Sequence, residues 1–385
     1  MSQREREAGL GAPALLPANQ GIARLAPYQT GKPIDELKRE LGLTDIVKLA
    51  SNENPLGCSP KVTAAIQAEL ADVGRYPDGN GFHLKDTICR MFDVQMNQVT
   101  LGNGSNDILE MVARTFISPQ SSAVYSQHAF AVYTLVVQAI GATGIEVPAK
   151  DFGHDLPAMA KAIRDNTRVV FLANPNNPTG TWFEEADFAD FMEKVPCNVL
   201  VVLDEAYVEY FPEEFDSLKF LRKHSNLLIS RTLSKAYGLA SLRVGFALAS
   251  PDVTNLLNRV RQPFNVNSFA LSAAKAALED QDFVTQSREL NRAGMAQLEA
   301  GLRELRLDFI PSHGNFISVR INKGGSRDGV SIFNALLQKG VIVRPVTAYG
   351  MPDYIRVSIG LPQENQRFLD ALAQVLGLAP DEGAS

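Results

Sequence analysis

Seven short apolar runs, separated mostly by helical patterns, constrain the fold of this chain more than any other feature. They lie at 98–101, 123–125, 144–147, 169–172, 199–203, 227–230 and 244–249. Several are apolar throughout, without polar alternation, so they suit strands covered on both faces. Between them apolar residues recur at helical spacing, as at Ile108, Leu109, Met111, Val112 and Phe116. Strand and helix in alternation predict an α/β fold: a mostly parallel central sheet with helices on both faces.

Past Pro263 the pattern changes. Helices across 268–305 lead to a strand at 316–321, a helix near 329–339, a strand at 355–359 and a last helix from 363. This reads as a smaller α+β domain. The expected organisation is a mobile N-terminal tail (1–20), a segment packing with the small domain (21–60), a large domain (61–265), a small C-terminal domain (266–378) and a tail (379–385). Internal repeats are absent.

Open α/β sheets bind ligands beyond the carboxyl ends of their strands, and four segments with chemistry lie there. After the strand at 227–230 comes Arg231-Thr232-Leu233-Ser234-Lys235-Ala236-Tyr237-Gly238-Leu239, with Arg243 eight residues past Lys235. A lysine amine can hold a carbonyl cofactor as a Schiff base, as in enzymes that use pyridoxal 5′-phosphate (PLP). Hydroxyls and an arginine beside it suit that cofactor's phosphate. A lone lysine after a strand is usually a surface charge; the other three segments remove that default. In Val201-Val202-Leu203-Asp204-Glu205-Ala206-Tyr207 a buried strand ends in an aspartate that can keep a pyridine nitrogen protonated, with the Tyr207 phenol placed for the cofactor's O3′. Asn174-Pro175-Asn176-Asn177-Pro178-Thr179-Gly180 follows the strand at 169–172 and, alone, need only be a turn. Gly102-Asn103-Gly104-Ser105-Asn106-Asp107 opens a helix, where free backbone N–H groups make an anion site. A dinucleotide-binding dehydrogenase would need a third glycine that this last segment lacks.

Together with Leu49-Ala50-Ser51-Asn52-Glu53-Asn54-Pro55-Leu56-Gly57, Arg75-Tyr76-Pro77-Asp78 and Ile355-Arg356-Val357-Ser358-Ile359-Gly360, these segments resemble the fold type I PLP-dependent aminotransferases. Within them the chain is similar to the histidinol-phosphate aminotransferases, over roughly residues 28–377. The resemblance implies a role for each matching position. Lys235 becomes the Schiff-base lysine and proton carrier, Asp204 the pyridinium partner, and Tyr207 and Asn177 the groups on O3′. Ser105, Asn106, Thr232, Ser234 and Arg243 form the phosphate cradle. Phe130 stacks on the cofactor ring where many relatives carry Tyr, so a hydroxyl contact is missing there. Tyr76 reaches the cofactor phosphate of a neighbouring subunit, which implies a homodimer with shared sites. Arg356, Arg344 and Tyr28 are implied to hold a substrate phosphate, and Asn54 to contact substrate.

The implied reaction moves an amino group between histidinol phosphate and 2-oxoglutarate in histidine biosynthesis. An aromatic amino-acid aminotransferase or a phospho-amino-acid decarboxylase on the same scaffold is the alternative. A catalytically silent PLP-binding protein is disfavoured by the intact Lys235, Asp204, Tyr207, Asn177 and Arg243.

Bulk properties exclude other classes. A net charge of −6 without a basic run argues against nucleic acid as main partner. Cys58, Cys89 and Cys197 are too widely spaced to suggest a disulfide framework or a zinc site. No apolar run could span a bilayer. Residues 1–7 mix acids and bases and lack the apolar core of a signal peptide, so a cytoplasmic protein is expected.

Overall fold

The computed structural model describes residues 19–27, 31–211, 215–321 and 328–378. Apart from Asn19 and Gln20, the tails expected at 1–20 and 379–385 lie outside these residues, as does Tyr28. A two-residue strand, β1 (Val47–Lys48), precedes the main sheet. That sheet contains β2 (Val99–Gly102), β3 (Ser122–Ser126), β4 (Thr143–Val147), β5 (Thr167–Ala173), β6 (Leu200–Asp204), β7 (Leu227–Thr232) and β8 (Gly245–Ala249). All seven coincide with the apolar runs. Their order is β2-β8-β7-β6-β5-β3-β4. Only β8 runs antiparallel to its neighbours β2 and β7, while the remaining pairs are parallel.

Why the runs are continuously apolar is visible in β6, where all five residues are buried. Val201 and Leu203 point into the core on one face, and Val202 into the core on the other, as the two-residue period of a strand requires. Each such side chain contributes roughly 1.5–3 kcal/mol. The strand is therefore a rigid mount for the residue at its end, Asp204. Only the edge strand β4 is mostly exposed.

The second sheet has the order β12-β13-β10-β9, from β9 (Asp308–Ile310), β10 (Phe316–Arg320), β12 (Arg344–Pro345) and β13 (Tyr354–Ser358). Between β10 and β12, β11 (Val341–Ile342) pairs in parallel with β1. Val47 and Leu49 thereby enter the same core as Leu298, Ile317 and Val357. The N-terminal segment thus packs on the C-terminal sheet.

The break drawn after residue 265 does not coincide with a change of core. Ala270, Ala273, Ala274 and Ala277 form a stripe on the helix Ser268–Leu278 and lie in the core of the large sheet. Small side chains let that helix approach closely, which composition past Pro263 could not reveal. The next helix, Gln281–Glu304, spans both units. Its Val284 belongs to the large core, and its Leu298 and Leu302 to the small one. We propose that the boundary falls inside this helix. Gly294, at its middle, sits where a Cβ would come within 2.4 Å of Ile359 Cγ2. No helix among the described residues is long and apolar enough to cross a membrane.

Candidate active site

Beyond the carboxyl ends of β5, β6 and β7, and beside the turn after β2, lies a cavity of ≈ 200 Å³. Residues 50–52 and the arginines of β12 and β13 complete its wall. It gathers residues from segments up to 325 positions apart (from 31 to 356). Twelve of the fifteen residues singled out in the sequence line it.

Asp204 stands at the cavity floor, 4% exposed. The Tyr133 hydroxyl donates to its Oδ2 at 2.9 Å, while Oδ1 is buried without a partner. Burial raises the carboxyl pKa to about 6, against the lowering effect of the Tyr133 bond. A buried carboxylate oxygen lacking a donor costs free energy until a donor arrives, so this atom is prepared for a cationic N–H. Glu205, next along the chain, faces the opposite way and pairs with Arg231 Nη2 at 2.7 Å.

Lys235 extends from the loop after β7, and its Nζ donates to the Ser51 carbonyl at 3.0 Å. Desolvation, then the nearby Arg356, lower its pKa to about 7. The amine is thus half neutral near pH 7 and available as a nucleophile. Its Nζ lies 5.8 Å from the centre of the Tyr207 ring. The Tyr207 hydroxyl accepts from Asn52 Nδ2 at 3.0 Å and from Asn177 Nδ2 at 3.2 Å. Burial pushes this phenol up to about 12.

At one end of the cavity an anion site takes shape. The helix Ser105–Phe116 begins after Gly104 with no side-chain cap, leaving its first N–H groups to a ligand. Thr232 Oγ1 donates to Ser234 Oγ at 3.0 Å, which also receives Arg243 Nη1 at 3.3 Å. Gly104 has φ 78°, and a Cβ there would come within 2.5 Å of Arg243 Nη2. Glycine is therefore required both by the backbone and by the guanidinium packed on it.

Two arginines form the other end. Arg344 on β12 and Arg356 on β13 are direct register partners, so their side chains leave the same face of the sheet about 4.5–5.5 Å apart at Cβ. Arg356 is 6% exposed. It donates to Asn177 Oδ1 at 2.6 Å and to the Ala50 carbonyl at 2.7 Å, while its Nε is buried unpartnered. Four cationic side chains line the cavity against the single carboxylate of Asp204. The arrangement takes a ligand, or a pair of ligands, anionic at both ends and cationic at the floor.

Phe130 also lines the cavity, edge-on to Tyr133 with ring centroids 5.9 Å apart. Three residues are not in the wall. Tyr28 lies outside the described residues. Tyr76 is 82% exposed and stacks on Phe264 at 4.8 Å. Asn54 is a correction: its Nδ2 donates to the Ala236 carbonyl and to Ser287 Oγ, both at 2.8 Å, and its Oδ1 accepts from the Leu56 N–H at 3.0 Å. Its polar groups are spent on folding the segment, and Asn52, two residues earlier, faces the cavity instead. Sequence reasoning also passed over Tyr133, although it lies one helical turn after Phe130, a spacing that puts both on one face.

The class I and II aminotransferase family model matches residues 44–372. A histidinol-phosphate aminotransferase of Pseudomonas fluorescens is 61% identical over 366 residues, covering 94% of this chain and 98% of that protein. One from Methylobacillus flagellatus is 60% identical over 363 residues, covering 93% and 97%. The crystal structure of histidinol-phosphate aminotransferase from Sinorhizobium meliloti in complex with pyridoxal-5′-phosphate superposes with a TM-score of 0.87 at 27% identity, covering 96% of this chain and all of that one. A carboxylate-floored, arginine-flanked cavity around Lys235 and likeness along nearly the whole chain agree: the chain belongs to the class I and II aminotransferases and, within them, to the histidinol-phosphate aminotransferases.

Proposed function

We propose that this chain is a PLP-dependent transaminase that exchanges the amino group of histidinol phosphate with 2-oxoglutarate, giving imidazole-acetol phosphate and glutamate in histidine biosynthesis. The residues present fit the cofactor. The orphaned Asp204 Oδ1 matches a pyridinium N–H, and the Gly104–Arg243 cradle matches a phosphate. Lys235 stands between them, and Phe130 offers a face for the ring. When bound, PLP supplies an electron sink for charge developing at the substrate carbon.

The protein's own groups do the rest. Asp204, held by Tyr133, keeps a positive ring nitrogen protonated. Tyr207 and Asn177 offer donors to an oxygen in the cavity. The amine of Lys235, neutral above about pH 7, would take up and return the proton at the substrate carbon. Ser105, Asn106, Thr232, Ser234 and Arg243, which line the cavity, would hold the cofactor phosphate.

The observation that carries the substrate assignment is the Arg344–Arg356 pair on adjacent strands. Two guanidiniums can each bond a dianionic phosphate bidentately. Losing a charged hydrogen-bonding partner costs ~1.5–3 kcal/mol, so Arg344→Gln should lower kcat/KM for histidinol phosphate by roughly ten- to a hundredfold. Activity toward phenylalanine, whose only anion is its carboxylate, should fall less. Steady-state kinetics with both donors check this. Equal losses for the two donors, or a wild type that strongly prefers phenylalanine or tyrosine, would reject the assignment.

A homodimer with shared sites is part of the same proposal. Leu70, Val73, Tyr76, Phe82 and Phe264 are large apolar side chains left exposed on the single chain, and such exposure suits a subunit interface. Tyr76 would there face the partner's cofactor phosphate. Mixing Tyr76→Phe with Lys235→Ala subunits then yields heterodimers in which one site carries both lesions and the other neither. At limiting PLP, the mixture is expected to exceed the summed activity of the two variants. Strictly additive activity, or an active monomer in sedimentation, contradicts the shared site.

A further inference from the structure

We infer that Asn52 is a positioning residue that sets the proton polarity of Tyr207, and that Ser358 on β13 holds it in that orientation. The inference rests on the reading of the cavity as a PLP site and adds a residue to which that reading gives no role. Its warrant is a count of protons. The backbone N–H of Asn52 donates to Ser358 Oγ at 2.8 Å. That hydroxyl has a proton of its own, which no other acceptor among the described residues takes, so it turns it toward Asn52 Oδ1, at 3.0 Å. That fixes the Asn52 amide, because its oxygen is the acceptor, so Nδ2 must be the atom facing the Tyr207 hydroxyl at 3.0 Å.

The amide of Asn177 is fixed in the same manner. Arg356 has only protons to give, so Asn177 Oδ1 accepts from it at 2.6 Å and Nδ2 faces Tyr207 at 3.2 Å. The phenol oxygen therefore accepts twice, which fills both lone pairs. No acceptor among the described residues takes its proton, and the residue lines the cavity. Tyr207 is left as a pure donor toward whatever oxygen occupies the cavity. The backbone around Asn52 is held for the purpose. It has φ 55°, a left-handed conformation that asparagine tolerates better than most residues, and its carbonyl accepts from Asn315 Nδ2 at 2.9 Å. Both Ser358 and Asn315 belong to the C-terminal sheet and its approach, so the polarity of Tyr207 is set from across the cleft.

Asn52→Asp tests this while keeping shape and tolerance of positive φ. It replaces the donating amide by an accepting carboxylate, to which the phenol would turn its proton. A ligand oxygen deprived of that donor becomes more basic. The midpoint of the pH-dependent absorbance of PLP-loaded enzyme should then rise by about one pH unit, and PLP retention should weaken. The new carboxylate also raises the midpoint by its charge alone, so the shift should be clearly smaller, not absent, when Asn52→Asp is made on a Tyr207→Phe background. Ser358→Ala, which frees the amide to rotate, should give a smaller shift in the same direction and guards against a folding defect in the first variant.

A wild type with a normal PLP spectrum, and variants whose midpoint does not move, would overturn the inference alone. So would a shift of undiminished size without the Tyr207 hydroxyl. A wild type that binds no PLP would overturn the reading of the cavity and this inference with it.

Discussion

Lys235→Ala is expected to abolish transamination while leaving PLP bound noncovalently. Among the described residues it is the only lysine in the cavity wall, and its lowered pKa, to about 7, comes first from desolvation and then from Arg356 and Arg243. Removing the group that carries the proton costs about 10²–10⁴-fold through general acid–base catalysis alone, and loss of the covalent anchor adds to that. Arg243, Ser234 and the helix start at Ser105 remain to hold the phosphate, so cofactor should still be retained. Borohydride reduction of wild type should fix the cofactor on the peptide containing Lys235.

Lys219 and Lys223 are controls within one labelling experiment. Both lie on the helix Ser217–Lys223 and pair with Glu185 and Glu193. Label on either would remove Lys235 from its role. The sign of the pH effect also follows. A lysine with a depressed pKa is neutral above that value, so capture of PLP by cofactor-free protein should be half-maximal near pH 7 and slow as pH falls. Half-maximal capture near the ordinary lysine value of about 10.4 would contradict the desolvated environment.

Legibility of the fold followed the strength of local signals. Six of the seven strands of the main sheet, all but the edge strand β4, are buried on both faces and mostly apolar, so composition alone marks them. β1, β11 and β12 are two residues each. No period can be read over two residues, and the pairing of β1 with β11 joins segments nearly 300 positions apart. The helix Ser268–Leu278 was visible as a helix, but its alanine stripe belongs to the large core. Membership of a core is a tertiary fact that spacing does not encode.

The site shows the same division. Residues that end strands or begin helices came together as their positions implied, because the sheet mounts them. Asn52 and Asn54 share one motif and the same residue type. Only the contacts of Asn54 with Ala236 and Ser287 decide which of them turns outward from the cavity. Tyr133 acts on Asp204 from a helix 71 positions earlier, a distance no local pattern bridges.

Asp204→Asn should leave the fold intact and lower kcat by on the order of a hundredfold or more. Asparagine matches aspartate in shape and can still accept from Tyr133 through its oxygen. What it then turns toward the cavity is an N–H₂ group in place of the unpartnered Oδ1. An N–H facing a pyridinium N–H is repulsive, so the ring nitrogen loses its proton and the sink its charge. If the carboxylate stabilises the carbanionic transition state by ~3 kcal/mol, a hundredfold loss follows. A stability measurement separates this from structural damage. The Asp204 pKa is raised in the cofactor-free fold from 3.8 to about 6 by burial. The folded state therefore binds more protons than the unfolded one between these values, and this residue makes stability fall as pH rises from about 4 to 6. Asparagine does not titrate, so the cofactor-free variant should lose that decline and be at least as stable as wild type at pH 7 by thermal unfolding. Near-wild-type kcat with PLP bound would show that Asp204 is not the ring partner. A cofactor-free variant less stable than wild type at pH 7 would show instead that its charge is already neutralised by a partner within the fold.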